Sequence, residues 1–113
     1  RYDPVGHALQ KGGDQDMREY AGSQDFVRIA PLNLIYVADY DRMTGASEED
    51  RKFYSAADVG FIAQNVYLFC ASEGLAAVVR GMVDKTKARE VFRLKESQHV
   101  VLAQTIGFPP EQP

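Results

Sequence analysis

The chain has 113 residues, of which 45% are hydrophobic and 26% charged, with a formal net charge of −3 and a pI near 5.3. That length allows one domain at most, and an acidic balance with no run of Lys or Arg argues against a nucleic-acid or anionic-membrane surface. The single Cys70 excludes an internal disulfide and suits a reducing cytosol, so a cytoplasmic location is expected.

No charged-then-apolar leader precedes the first turn, which comes almost at once. Asp3-Pro4-Val5-Gly6 has the residue preferences of a type I turn, with a short return strand expected over His7–Lys11. Only Arg1 and Tyr2 precede that turn, so the chain reads as a piece of something longer. Asp14 is placed to cap a brief helix running to Tyr20, and Ser23 to cap a single turn ending at Ile29 before Pro31. Leu32–Ala38 is rich in aliphatic and β-branched residues with little alternation, the pattern of a strand covered on both faces.

A polar connection follows. Ser47 with Asp50 resembles a capping box, and Glu48 and Glu49 suit a helix N-terminus, so a long helix is expected from about Glu48 to Ser72 or Glu73 with Gly74 at its C-terminal cap. Its latter part has little polar surface. Val59, Ile62, Val66, Phe69 and Cys70 fall on one side at helical spacing, and Ala56, Gly60, Ala63, Tyr67 and Ala71 on a small-residue flank. Only Asp58, Asn65 and Ser72 make a thin polar line, which reads as satisfying backbone or partner-helix groups. The longest apolar run, Val66–Ala71, is far short of the roughly 20 residues of a membrane span. Such a helix needs cover on nearly every side, more than a small chain easily supplies.

Beyond it, Leu75–Arg80 reads as a strand ended by Gly81, Lys85–Arg93 as a helix capped by Asp84, and Gln98–Ile106 as a third strand. Apolar strands separated by helices imply a sheet layered with helices, at least partly parallel in its centre.

Few residues offer chemistry. Cys70 sits mid-face on an apolar helix, where a thiol is inert core. His7 and His99 stand apart with no ligand spacing, so no metal site is expected, and no side chain is assigned a catalytic acid or base role. Arg80-Gly81-Met82-Val83-Asp84 joins a strand end to a helix start. From spacing alone this is an ordinary turn, although such turns also seat ligands against exposed N–H groups.

The runs Ala57–Leu68, Ala71–Ala76, Arg80-Gly81 and Gly107-Phe108-Pro109 resemble, in order and spacing, the C-terminal half of a flavin-dependent nitroreductase. The upstream Tyr2-Asp3-Pro4, His7-Ala8-Leu9, Asp14, Arg18, Gln24–Val27 and Ala30-Pro31 are similar to the branch that includes azoline oxidases of thiazole- and oxazole-peptide biosynthesis. The resemblance implies an α+β, layered helix/sheet/helix fold with a long central buried helix, present over residues 1–113 as the C-terminal portion of one domain. It implies a homodimer packed through that helix, with the Ala56/Gly60/Ala63/Tyr67 flank and Asn65 in the subunit contact. FMN would lie at Val79, Arg80 and Gly81, and hydride would pass from NAD(P)H to nitro, quinone or related acceptors. Position 80 departs from the acidic residue common in better-known nitroreductases. The Arg-rich motif that grips the FMN phosphate has no counterpart here, and Pro110-Glu111-Gln112-Pro113 supplies no cation. The chain alone is therefore expected to bind FMN weakly and to be inactive. Two rival readings are a non-catalytic dimerisation or binding module of the same fold and a flavin-dependent azoline or peptide oxidase.

Overall fold

A computed structural model of the chain describes residues 1–110. Its elements are β1 (Tyr2–Asp3), β2 (Ala8–Leu9), α1 (Asp25–Ile29), β3 (Leu32–Asp39), α2 (Glu48–Ser72), β4 (Ala76–Arg80), α3 (Lys85–Val91) and β5 (Gln98–Gly107). Single 3-10 turns lie at Arg18–Tyr20 and Tyr40–Arg42.

The early segment is looser than its sequence suggests. β1 and β2 form a two-rung antiparallel hairpin, Tyr2 opposite Leu9 and Asp3 opposite Ala8. Asp3 Oδ1 accepts from Val5 N–H inside the turn, and His7 closes it in the left-handed region at φ 47°. The expected helix from Asp14 shrinks to the turn at Arg18–Tyr20. Asp14 pairs with Lys11 instead of capping, and Asp16 accepts from the Arg18 N–H, so the local side chains stabilise a turn in place of a helix. Ser23 does not cap α1 either. Gln24 holds that position without a side-chain capping bond.

The long helix follows its local signals closely. Ser47 Oγ accepts from Asp50 N–H at 3.0 Å and donates to Asp50 Oδ2 at 2.8 Å. At the other end Gly74 takes φ +68°, with Leu75 N–H donating to Cys70 C=O at 2.8 Å and Gly74 N–H reaching back to Ala71 C=O at 3.5 Å. That is the pair of bonds that ends a helix on a left-handed residue. Asp84 Oδ1 caps α3 by accepting from Lys87 N–H at 2.9 Å.

The sheet corrects one expectation. It has three strands in the order β3-β5-β4, and both pairings are antiparallel. The α2 crossover does return β4 in the direction of β3, as a strand–helix–strand unit must, but it leaves a gap one strand wide. β5 runs back through that gap, so the parallel pair never touches. The β3 ladder carries a register shift at Tyr36/Val37. β3 is also less covered than a strand buried on both faces, with Leu32 and Val37 exposed and its outer edge unpaired among the described residues.

α2 packs on one face of β4 and β5 through Ser55, Val59, Ala63 and Cys70, all buried. On the other face lie α1 and the Arg18–Tyr20 turn, with α3 against β5 and that turn. Val27, Ala88 and Ala103, fully buried, mark the core there and in the sheet. The result is a layered helix/sheet/helix α+β arrangement around one long helix. Only an arc of that helix is covered by its own chain. Ile62 and Phe69, expected beside Val59 and Cys70, turn to the rim, and Tyr54, Phe61 and Leu68 face outward at 54%, 71% and 60% exposure. No helix among the described residues is long and apolar enough to cross a membrane.

Candidate functional site

The end of β4 is built by three successive residues with three different environments. Val79 is half-buried, Arg80 is buried and Gly81 is exposed. Among the described strands β4 is flanked by β5 on one side only, and Val79 is one of its residues whose N–H points away from β5. It is taken by the hydroxyl of Tyr67, whose oxygen accepts at 2.5 Å. This corrects the expected place of Tyr67 in a subunit contact. Together with Ala63, which lies under Gln104, Tyr67 belongs to the face of α2 turned to its own sheet, while Ala56, Gly60 and Asn65 stay exposed.

Gly81, two residues beyond Val79, is different. Among the described residues its N–H donates to no protein acceptor, while its C=O accepts from Val83 N–H at 2.9 Å. A Cβ at this position would meet nothing nearer than Leu102 Cδ2 at 3.9 Å, so the space in front of the backbone is open. A flat, electron-rich ring edge could approach this donor without a steric barrier.

The Arg80 side chain turns inward, across the opposite face of the sheet from α2. Its Nε donates to Thr105 Oγ1 at 2.8 Å, Nη1 to the Ala21 C=O at 2.9 Å and to Gln24 Oε1 at 3.4 Å, and Nη2 to Asn33 Oδ1 at 3.2 Å. Thr105 Oγ1 in turn donates to Asn33 Oδ1 at 2.7 Å, and Asn33 Nδ2 donates to Val27 C=O at 2.9 Å. Loss of water around the guanidinium pushes its pKa down from the usual arginine value. Every acceptor in this cluster is neutral.

The α2 face has its own buried polar residue. Gln104 is fully buried, accepting from the Tyr36 hydroxyl at 2.5 Å and donating to the Ala63 C=O at 3.2 Å. Burial, before any neighbouring group, pushes the Tyr36 phenol up. Sequence reasoning placed Val79, Arg80 and Gly81 together but missed their supports Tyr67, Gly22, Asn33 and Thr105. The available signal was polar residues set into otherwise apolar strands, Asn33 in β3 and Gln104-Thr105 in β5.

Other candidates lie elsewhere. Cys70 is buried in the core. His7 bonds the Tyr2 hydroxyl at 2.7 Å, and His99 stacks on Tyr40 with centroids 4.3 Å apart. Among the described residues no group of three His, Cys, Asp or Glu could hold a metal. A cleft of about 440 Å³ is lined by Tyr40, Asp41, Arg51, Lys95, Glu96, Ser97 and His99. It sits where β5 begins, away from Val79–Gly81, and its mixed charges favour no single ligand charge. The Pro110–Pro113 tail, expected to supply no cation, lies outside the described residues from position 111 onward.

Residues 4–108 match the family model described as Nitroreductase family. A Methanocaldococcus jannaschii protein bearing a nitroreductase name is 34% identical over 100 residues, covering 85% of this chain and 50% of its own. The crystal structure of a nitroreductase-type protein from Ralstonia eutropha superposes with a TM-score of 0.90 at 44% identity, covering 99% of this chain and 53% of that one. The NADPH:FMN oxidoreductase of Vibrio harveyi, solved with NAD+, gives a TM-score of 0.74 at 28% identity over 86% of this chain and 46% of its own. The chain thus spans about half the length of the relatives it matches, and its layered architecture is theirs.

Proposed function

The chain belongs to the nitroreductase family, and on that premise we propose that it is the C-terminal half of an FMN-dependent oxidoreductase driven by NAD(P)H. The observation that carries this reading is the open Gly81 N–H at the end of β4, without an acceptor among the described residues, beside a strand edge whose preceding donor is already satisfied by Tyr67. Relatives named for flavin and NADPH, one of them solved with NAD+, support it.

Bound FMN would supply the centre that takes hydride from NAD(P)H and passes it to a nitro, quinone or related acceptor. The chain's part is to present backbone. Gly81 offers a donor to the edge of the ring that gains electrons, Val79 and Arg80 hold the strand beneath it, and Tyr67 fixes the strand edge. Arg80 does not serve the phosphate, because it spends its donors inward and cannot also meet a dianion. The remaining half of the protein must provide those cations.

The outward face of α2 supports a homodimer. Tyr54, Phe61 and Leu68 recur every seven residues and are exposed, with Ile62 and Phe69 beside them. A seam of that period suits a second helix laid along it. The test is a flavin titration of the 113-residue chain and of the full-length protein. Near-stoichiometric FMN absorbance in the full-length protein, and weak or no binding by this chain, is expected. A full-length protein that takes up no flavin would leave only the non-catalytic binding module.

A further inference from the structure

Arg80 is 5% exposed, and its guanidinium has four hydrogen-bond acceptors, all of them neutral. Among the described residues no carboxylate forms an ion pair with it. Its hydrogen bonds are therefore satisfied while its charge is not. A buried cation without a counter-ion is costly, and a neutral side chain could join the same strands with less penalty. Carbonyl and amide oxygens orient the group but leave one whole positive charge inside a poorly screened interior. Arginine stays protonated at any working pH, so that charge is permanent.

The charge sits one side-chain length from its own backbone, which is the strand end proposed above to face the flavin. We propose that Arg80 acts as a fixed internal positive charge that favours the anionic reduced form of the flavin held at Val79–Gly81, and so raises its reduction potential. The inference rests on the flavin reading, and Arg80 is in it a positioning charge that does not touch the ring. The balance is simple. Hydride from NAD(P)H brings two electrons and one proton to the neutral oxidised ring, NAD(P)+ leaves, and the reduced ring carries one negative charge. Only that reduced state is attracted by Arg80, so the equilibrium shifts toward it.

The experiment measures the two-electron potential of FMN bound to the full-length protein by equilibration with a reference dye. Gln24→Glu places a carboxylate against Nη1 while keeping Arg80 and its anchors, because the Gln24 amide makes no other hydrogen bond among the described residues. It is expected to lower the potential by at least a tenfold shift in the oxidised-to-reduced ratio, about 30 mV for two electrons. Ser23→Glu, an exposed charge next door, is expected to leave the potential within a twofold shift in that ratio. Arg80→Gln should move it in the same direction as Gln24→Glu. An unchanged potential in Gln24→Glu with flavin bound, or an equal fall in Ser23→Glu, would reduce Arg80 to a structural pin. Absence of flavin from the wild-type protein, seen by absorbance before any potential is measured, would overturn the underlying reading as well.

Discussion

The guanidinium of Arg80 occupies the space that a side chain on residue 22 would need. A Cβ built on Gly22 would overlap Arg80 Nη1 and crowd Gln24 Oε1 at 3.1 Å. Glycine is required at this position for room, since its backbone carries no unusual angle. Gly22→Ala should therefore expel the guanidinium from its four acceptors and cost about 3 kcal/mol in chemical denaturation. Gly12→Ala, with nothing within 4 Å of the new methyl, should change stability by less than about 0.5 kcal/mol.

Tyr67→Phe removes the acceptor for the Val79 N–H and nothing else that is buried. A loss of about 1 kcal/mol is expected, with faster amide hydrogen exchange at Val79 while the core amides of β5 stay protected. Unchanged exchange at Val79 would show that this edge is held by other means.

The N-terminal cap of α2 is a separable contribution. Ser47→Ala should destabilise the protein by about 1 kcal/mol, measured by thermal or denaturant unfolding, and Ser47→Asp should recover most of it because a carboxylate can accept the same Asp50 N–H.

In the full-length protein, Phe61→Glu tests the subunit contact. Phe61 is 71% exposed in the single chain, so the fold should survive. Sedimentation should then report a monomer for the variant, against the dimer proposed for the wild type. A variant that remains a dimer would place the interface elsewhere.

Acid sensitivity has a local source. The Arg18 guanidinium bonded to Asp16, aided by the Arg18 N–H, holds the Asp16 carboxyl at about 2 in the folded chain, below its usual 3.8. A lowered folded pKa contributes stability that is present above the unfolded value and lost as pH falls between the two, here from about 4 to about 2. Asp16→Asn should flatten the acid limb of the stability profile in that window, and high salt should do so in part. The pair is exposed, so the effect is small.

These tests divide along the line between what the sequence made visible and what it hid. Ser47, Gly74 and Asp84 act on groups within a few residues of themselves, and each was legible where it stood. α2 and the three long strands were found within a residue or two for the same reason. Asp14 and Ser23 failed because short polar side chains stabilise turns as readily as caps, and the chain there has no apolar face to commit it to a helix. The strand order was hidden because insertion of β5 between β3 and β4 is a matter of space left by a crossover. Alternation within a strand does not reveal it. The candidate site divides in the same way. Gly81 announces itself by ending an apolar strand, whereas Gly22 yields its space to a residue from a distant strand, and no local pattern marks that.

β5 comes last in sequence among the strands yet lies in the middle of the sheet. On the ribosome, neither β3 nor β4 can pair with β5 until nearly the whole described stretch has emerged. Until then the nascent chain carries two apolar strands that lack their β5 partner, beside a helix only partly covered. The three-stranded ladder is completed only when β5 takes its place between the two strands that precede it.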